Sequence, residues 1–177
     1  MKKQFISLIL FSILTCITTT NVTMADTKET VIQEEKKEKT PQQKIKAFSK
    51  KILGKKHYRD FMYLPKLTED SELEGIITIN SDLHDNLTNK AINDSECRNA
   101  FRLAEKIFTD DTFKDIDKLQ YCVWGIAIDK YGNENEQIAI KIFISRDTFS
   151  KFNLESEQAE FLYKNLPDVA DYYQTDL

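Results

Sequence analysis

The sequence predicts an α+β fold: a small, mainly antiparallel sheet packed under helices, in the order α-β-α-β-β-α. Three observations carry this. Leu119–Ile128 is an almost unbroken apolar run rich in β-branched and aromatic residues, the composition of a strand covered on both faces. Ile138, Ile140, Ile142 and Ile144 recur at period two, as does one side of a pleated strand facing a core. Cys97, Ala100, Phe101, Ala104, Ile107 and Phe108 recur at spacings of three and four, the apolar stripe of a helix lying across a sheet.

The chain has 177 residues, enough for one domain with its own core. Met1-Lys-Lys-Gln4 and the apolar run Phe5–Ile17 have the order of an export signal, a positive stretch before an apolar one. Thr23-Met24-Ala25 offers a cleavage site, so cleavage after Ala25 is expected. An uncleaved anchor is the alternative, although a spanning helix needs about 20 apolar residues. Lipidation on Cys16 is another, with Thr15 standing where a small residue is the rule. Residues 1–25 therefore read as a signal peptide and 26–40, dense in Glu, Lys and Thr, as a disordered tether. Residues 41–177 read as a single domain.

Thr40-Pro41-Gln42-Gln43 has the form of a helix start: a capping Thr, Pro at the first helical position, and Gln three residues after the cap. Ile45, Phe48, Ile52 and Leu53 continue at helical spacing, and Gly54 stands where the helix should end. Tyr58–Leu67 mixes aromatics with Pro65 and reads as an irregular packed segment. Glu69–Glu74 is an acidic loop without the alternating ligands and bend Gly of a calcium loop. Gly75–Asn80 reads as a strand with Ile77 and Ile79 on one face. Asn93-Asp-Ser-Glu96 opens the main helix, Asn93 capping and Glu96 reaching back. Gly132 and Asn133, which tolerate positive φ, mark a reversal within Asp129–Glu136. Asp147 is expected to cap a short turn carrying Phe149 and Phe152. A last helix then starts at Asn153 or Ser156, turns Ala159, Leu162 and Leu166 inward, and stops at Pro167. Asp168–Leu177 reads as a tail pinned by Val169, Tyr172 and Tyr173.

The candidate binding residues cluster at the start of the domain. Lys44, Lys46, Lys50, Lys51, Lys55 and Lys56 could contact anionic lipid heads, wall polymer or nucleic acid. The alternative is a solvated helix face. The partner expected of the chain is a cell-envelope component or another protein. A net charge of -4 argues against whole-surface nucleic-acid binding. In an oxidising compartment Cys97 and Cys122 are candidates for a disulfide; the alternative is two small buried hydrophobes. A thiol enzyme needs a histidine base, and the chain has 2 histidines, His57 and His84, with both thiols reading as buried. Asp82, His84 and Asp85 carry metal-ligating atoms, but one His among acids reads better as a loop with Asx turns. The 4 glycines form no phosphate-cradling loop. Trp124 reads as a core anchor, with the lining of a ligand groove as the alternative. No cofactor, metal or catalytic group is expected.

Asp129-Lys-Tyr-Gly132-Asn133, Phe149-Ser-Lys151-Phe-Asn153 and Ala170-Asp171-Tyr172-Tyr173 occur in that order over the second half of the chain. Together they resemble a group of small exported proteins, often lipoproteins, carried by conjugative elements, plasmids and prophages of Gram-positive bacteria. The resemblance spans residues 75–177 and implies a surface protein linked to exclusion of incoming elements or to transfer machinery. Cystatin-like or NTF2-like architecture is the fold analogy. The leading functional expectation is an exported, non-enzymatic binding protein at the Gram-positive cell surface. The alternatives are a small secreted hydrolase with unidentified acids, or an accessory subunit of a conjugation or secretion channel.

Overall fold

A computed structural model describes residues 39–68, 74–84 and 88–177, without the side chain of Glu160. The fold is α+β. Helix α1 (Pro41–Leu53) precedes strands β1 (Tyr58–Leu64) and β2 (Ile76–Asp82). Helix α2 (Asn89–Phe108) leads through a short 3-10 turn to β3 (Lys118–Ile128) and β4 (Glu134–Ser145). Helix α3 (Arg146–Ser150), a second 3-10 stretch, helix α4 (Leu166–Val169) and strand β5 (Tyr172–Thr175) complete the domain. The five strands form one sheet in the spatial order β1-β2-β3-β4-β5. Pairing is antiparallel except between β2 and β3, which run parallel with α2 as their crossover.

Local signals account for most boundaries. Thr40 and Gln43 make the reciprocal capping box, Pro41 occupies the first turn, and Gly54 ends α1 at φ 82°. Gly132 reverses the β3–β4 hairpin at φ 85°, where its amide bonds the Asp129 carbonyl at 3.0 Å. Ile77, Ile79, Leu119, Tyr121, Val123, Ile140, Ile142 and Ile144 line the inner face of the sheet and are almost fully buried. Against them lie Cys97, Ala100, Phe101, Leu103, Ala104 and Ile107 of α2, and Ile45 and Leu53 of α1.

Several expectations are corrected. Tyr58–Leu64 is a strand, not an irregular segment: it pairs from Tyr58↔Ser81 to Leu64↔Ile76, with a bulge between Tyr58 and Asp60. The C-terminal tail is also a strand, with Tyr172 and Tyr173 paired to Phe143 and Ile142. Helix α2 begins four residues before Asn93, capped by the Thr88 hydroxyl, and Glu96 points into the core instead of toward a cap. Ser145, not Asp147, caps α3. The last helix is a 3-10 stretch, Ala159–Asn165, continued by α4 with Pro167 in its first turn. A second bulge sets Val123 opposite Ile140 but Trp124 opposite Ile138. The extra residue, Ala139, turns Ile138 to the outer face and out of the isoleucine ladder.

Strand β3 is covered by helices on its inner face alone. On the outer face Trp124 is half-buried, and Ile126 and Ile128, 69% and 68% exposed, ride on the part of the hairpin that extends past β2. Among the described residues no helix is long and apolar enough to cross a membrane. The expected signal peptide, most of the expected tether, Asp85 and most of the expected acidic loop lie outside the described residues.

Candidate functional site

Helix α1 buries Ile45, Ser49 and Leu53, which leaves its two flanks to lysines. Lys46 and Lys50, one turn apart, share one flank. Gly54 lets the chain turn back through Lys55 into β1, and Tyr58, Arg59, Asp60 and Phe61 form the facing wall. The result is an open groove of about 330 Å³ lined by Lys46, Lys50, Lys55, Tyr58, Arg59, Asp60 and Phe61.

The charges within it are not equivalent. Arg59 is held by Asp82 and Glu136, with its guanidinium 5.3 Å from the centre of the Trp124 ring. Its charge is therefore neutralised locally. Asp60 accepts from the Asn80 amide at 2.6 Å, and Asn80 in turn accepts from the Trp124 indole at 3.1 Å. Burial, and then the charge of Asp60, raises the Tyr58 phenol above its usual value, so it stays neutral and can donate. Lys50 stands 5.5 Å from the centre of that ring. Among the described residues Lys46, Lys50 and Lys55 have no carboxylate within ion-pair distance. Three uncompensated ammonium groups beside two aromatic rings can attract an anion and give its carrier an apolar seat.

Of the remaining basic candidates, Lys44 lies on the opposite flank and bonds Thr112 at 2.5 Å and Asp110 at 3.7 Å, so it ties α1 to the chain after α2. Lys51 and Lys56 are exposed outside the groove. Cys97 and Cys122 are free thiols. Cys97 belongs to the core cluster under α2, whereas Cys122 follows inward Tyr121 and so faces the outer side. The sheet stands between them and the proposed disulfide is not made. Burial pushes Cys97 up to about 11, partly offset by the Tyr173 hydroxyl, and burial likewise raises Cys122. Asp82 is engaged by Arg59, so it does not join His84 in a metal set; no described group of three ligating residues converges. Trp124 is a half-buried outer-face residue, not a core anchor.

Sequence reasoning missed a buried polar cluster. Glu96 has no exposed surface. Its carboxylate accepts from the Tyr121 hydroxyl at 2.5 Å and the Asn99 amide at 3.0 Å, and lies 3.0 Å from His84 Nδ1. Ser81 bonds the Tyr121 oxygen at 2.8 Å, and His57 stacks on His84 with centroids 3.6 Å apart. Burial above all, and then the Glu96 charge, drives the Tyr121 phenol well above its usual value. These groups satisfy one another, so the cluster reads as a clamp between α2, β2 and β3. A signal was available: Glu96 falls on the same helical face as Ala100 and Ile107, where an acid demands partners.

A second groove, lined by Arg98, Arg102, Glu105, Phe101 and Tyr163 among others, is also basic. There Arg98 already donates to the Tyr163 hydroxyl at 2.7 Å and covers its ring, and Glu105 offsets charge in the same wall. The α1–β1 groove is therefore the stronger site. Compared with known proteins, the chain matches no family model, no curated protein and no solved structure.

Proposed function

We propose that this is an exported, non-enzymatic protein that holds an anionic partner at the outer surface of a Gram-positive cell, through the groove between α1 and β1. The observation that carries the reading is the convergence of Lys46, Lys50 and Lys55, none of them ion-paired among the described residues, on a groove that also exposes Tyr58 and Phe61. The signal-like residues 1–25 support export, and the resemblance to exported proteins of mobile elements supports a role in exclusion or transfer.

Two measurements test it. N-terminal sequencing of the protein recovered from the cell envelope should begin at Asp26; a chain that keeps its leader and stays in the cytosol overturns export. The combined variant Lys46→Glu, Lys50→Glu, Lys55→Glu should lose retention in the envelope fraction, and wild-type retention should weaken as salt rises from about 50 to about 300 mM. Retention that is indifferent to both changes overturns the anionic reading.

A further inference from the structure

Resting on that reading of the groove, a more specific partner follows from the strand that forms its wall. Among the described residues strand β1 is an edge of the sheet, paired with β2 on one side and with no strand on the other. An unpaired edge is a template for another chain, and proteins blunt edges with bulges, charges, proline or short length. At the opposite edge β5 is the shorter strand, with 4 residues against the 7 of β1. In β1 the bulge between Tyr58 and Asp60 and the charges of Arg59 and Asp60 lie at its start, and Pro65 follows its last residue. Phe61-Met62-Tyr63-Leu64 has no charge, no proline and no bulge.

The two faces of this open stretch differ. Met62 and Leu64 point outward and are 48% and 40% exposed. Phe61 and Tyr63 point inward and are half-buried, on the side where α1 carries Lys46 and Lys50. A strand laid along β1 would set alternate side chains beside Met62 and Leu64, and where it passes Tyr58–Phe61 its inner side chains would meet the lysines. Its inner positions recur about every 6.6 Å, comparable to the roughly 6 Å rise over the four residues from Lys46 to Lys50.

We propose that the free edge of β1 and the adjoining lysine groove receive an extended peptide of alternating acidic and apolar residues, which adds to the sheet as a sixth strand. Backbone pairing along Phe61–Leu64 supplies the affinity, and the lysines select acids at every second position.

The test uses the full chain and three probes: a capped peptide of alternating Glu and Val long enough to span β1, one of equal length alternating Glu and Pro, and phosphatidylglycerol vesicles. The Glu-Pro peptide keeps the charge and an extended shape but cannot pair as a strand. The Glu-Val peptide should bind at least about tenfold more tightly than the Glu-Pro peptide. It should also slow hydrogen exchange at the alternate amides of Phe61–Leu64 that face the free edge. Lys46→Glu with Lys50→Glu, and separately Met62→Lys with Leu64→Lys, should each weaken it at least tenfold. Equal binding of the two peptides, or binding of vesicles with β1 amides left unprotected, overturns strand addition while leaving the anionic groove standing. Protection present without peptide and lost on deleting residues 30–38 would place that segment of the chain there and overturn a partner in trans. Failure of all three probes overturns both.

Discussion

Replacing Tyr121 by Phe removes one oxygen from a fully enclosed polar cluster. That oxygen donates to Glu96 at 2.5 Å and shares a 2.8 Å bond with Ser81. In the variant Glu96 Oε2 keeps the Asn99 amide as its one remaining donor at 3.0 Å, and the Ser81 hydroxyl loses its partner inside the core. A hydrogen bond to a charged group contributes about 1.5–3 kcal/mol, and an orphaned buried hydroxyl costs about 1 kcal/mol, so the expected loss is about 3 kcal/mol. That is a large fraction of the roughly 5–15 kcal/mol that stabilises a domain, and corresponds to a melting point lowered by about 10 °C. Urea unfolding followed by circular dichroism reads it directly: the midpoint should fall while the slope stays constant. A second signature is alkaline. The folded state holds the Tyr121 phenol neutral well above its usual value, while the unfolded chain ionises it near pH 10. Its contribution to stability is therefore complete below about pH 10 and is lost as pH rises toward the folded value. Wild type should lose stability more steeply above that pH than the Phe variant does. A loss below about 0.5 kcal/mol, within the range of an ordinary surface change, together with identical alkaline profiles, would refute the clamp.

Further outcomes follow from the same geometry. Neither Cys97 nor Cys122 should react with maleimide at pH 8 in the native state, and both should react after denaturation; a missing thiol count in denaturant would reveal a disulfide instead. Arg146 donates to the carbonyls of Phe108, Phe113 and Ile116 at 2.7–3.0 Å and stands over the Phe108 ring. Lys cannot reproduce that fork, so Arg146→Lys should cost about 2 kcal/mol by chemical denaturation. Burial pushes the Asp171 carboxyl up, but bonds from the Ser145 amide and the Thr148 and Ser145 hydroxyls outweigh it and leave it below the usual range. Its contribution is present above about pH 4 and fades as pH falls through the lower folded value. Asp171→Asn should thus destabilise by about 1 kcal/mol at neutral pH, and its deficit should shrink in acid melts. At the groove, reversing Lys46, Lys50 and Lys55 should abolish salt-sensitive envelope retention without changing the melting point by more than about 2 °C, because none of the three is ion-paired.

Short-range signals made much of the fold legible. The Thr40–Gln43 capping box, the Gly54 stop, the Gly132 reversal and the α2 stripe each lie within a few consecutive residues, and each stands in the structure where its chemistry places it. The basic stretch was legible as a cluster of lysines but not as a site. Helical rotation and the return of β1 divide it into the groove set, Lys46, Lys50 and Lys55, and the structural Lys44. The two edge strands were hidden for a different reason. Tyr58–Leu64 and Tyr172–Thr175 have weak or mixed alternation, and their backbone hydrogen bonds come from β2 and β4, which no local pattern names.

Periodicity and capping are properties of neighbours along the chain, so they established the α+β class, the hairpin and the inward face of α2 before any coordinates. Contacts between distant residues decided the rest. The parallel pairing of β2 with β3, the bulge that expels Ile138, the partners that make a buried Glu96 tolerable, and the free edge of β1 beside a lysine flank all depend on segments that meet after folding. A carboxylate in the core or a lysine on a helix has the same local sequence whether or not a partner waits across the sheet, and its role is set by that partner.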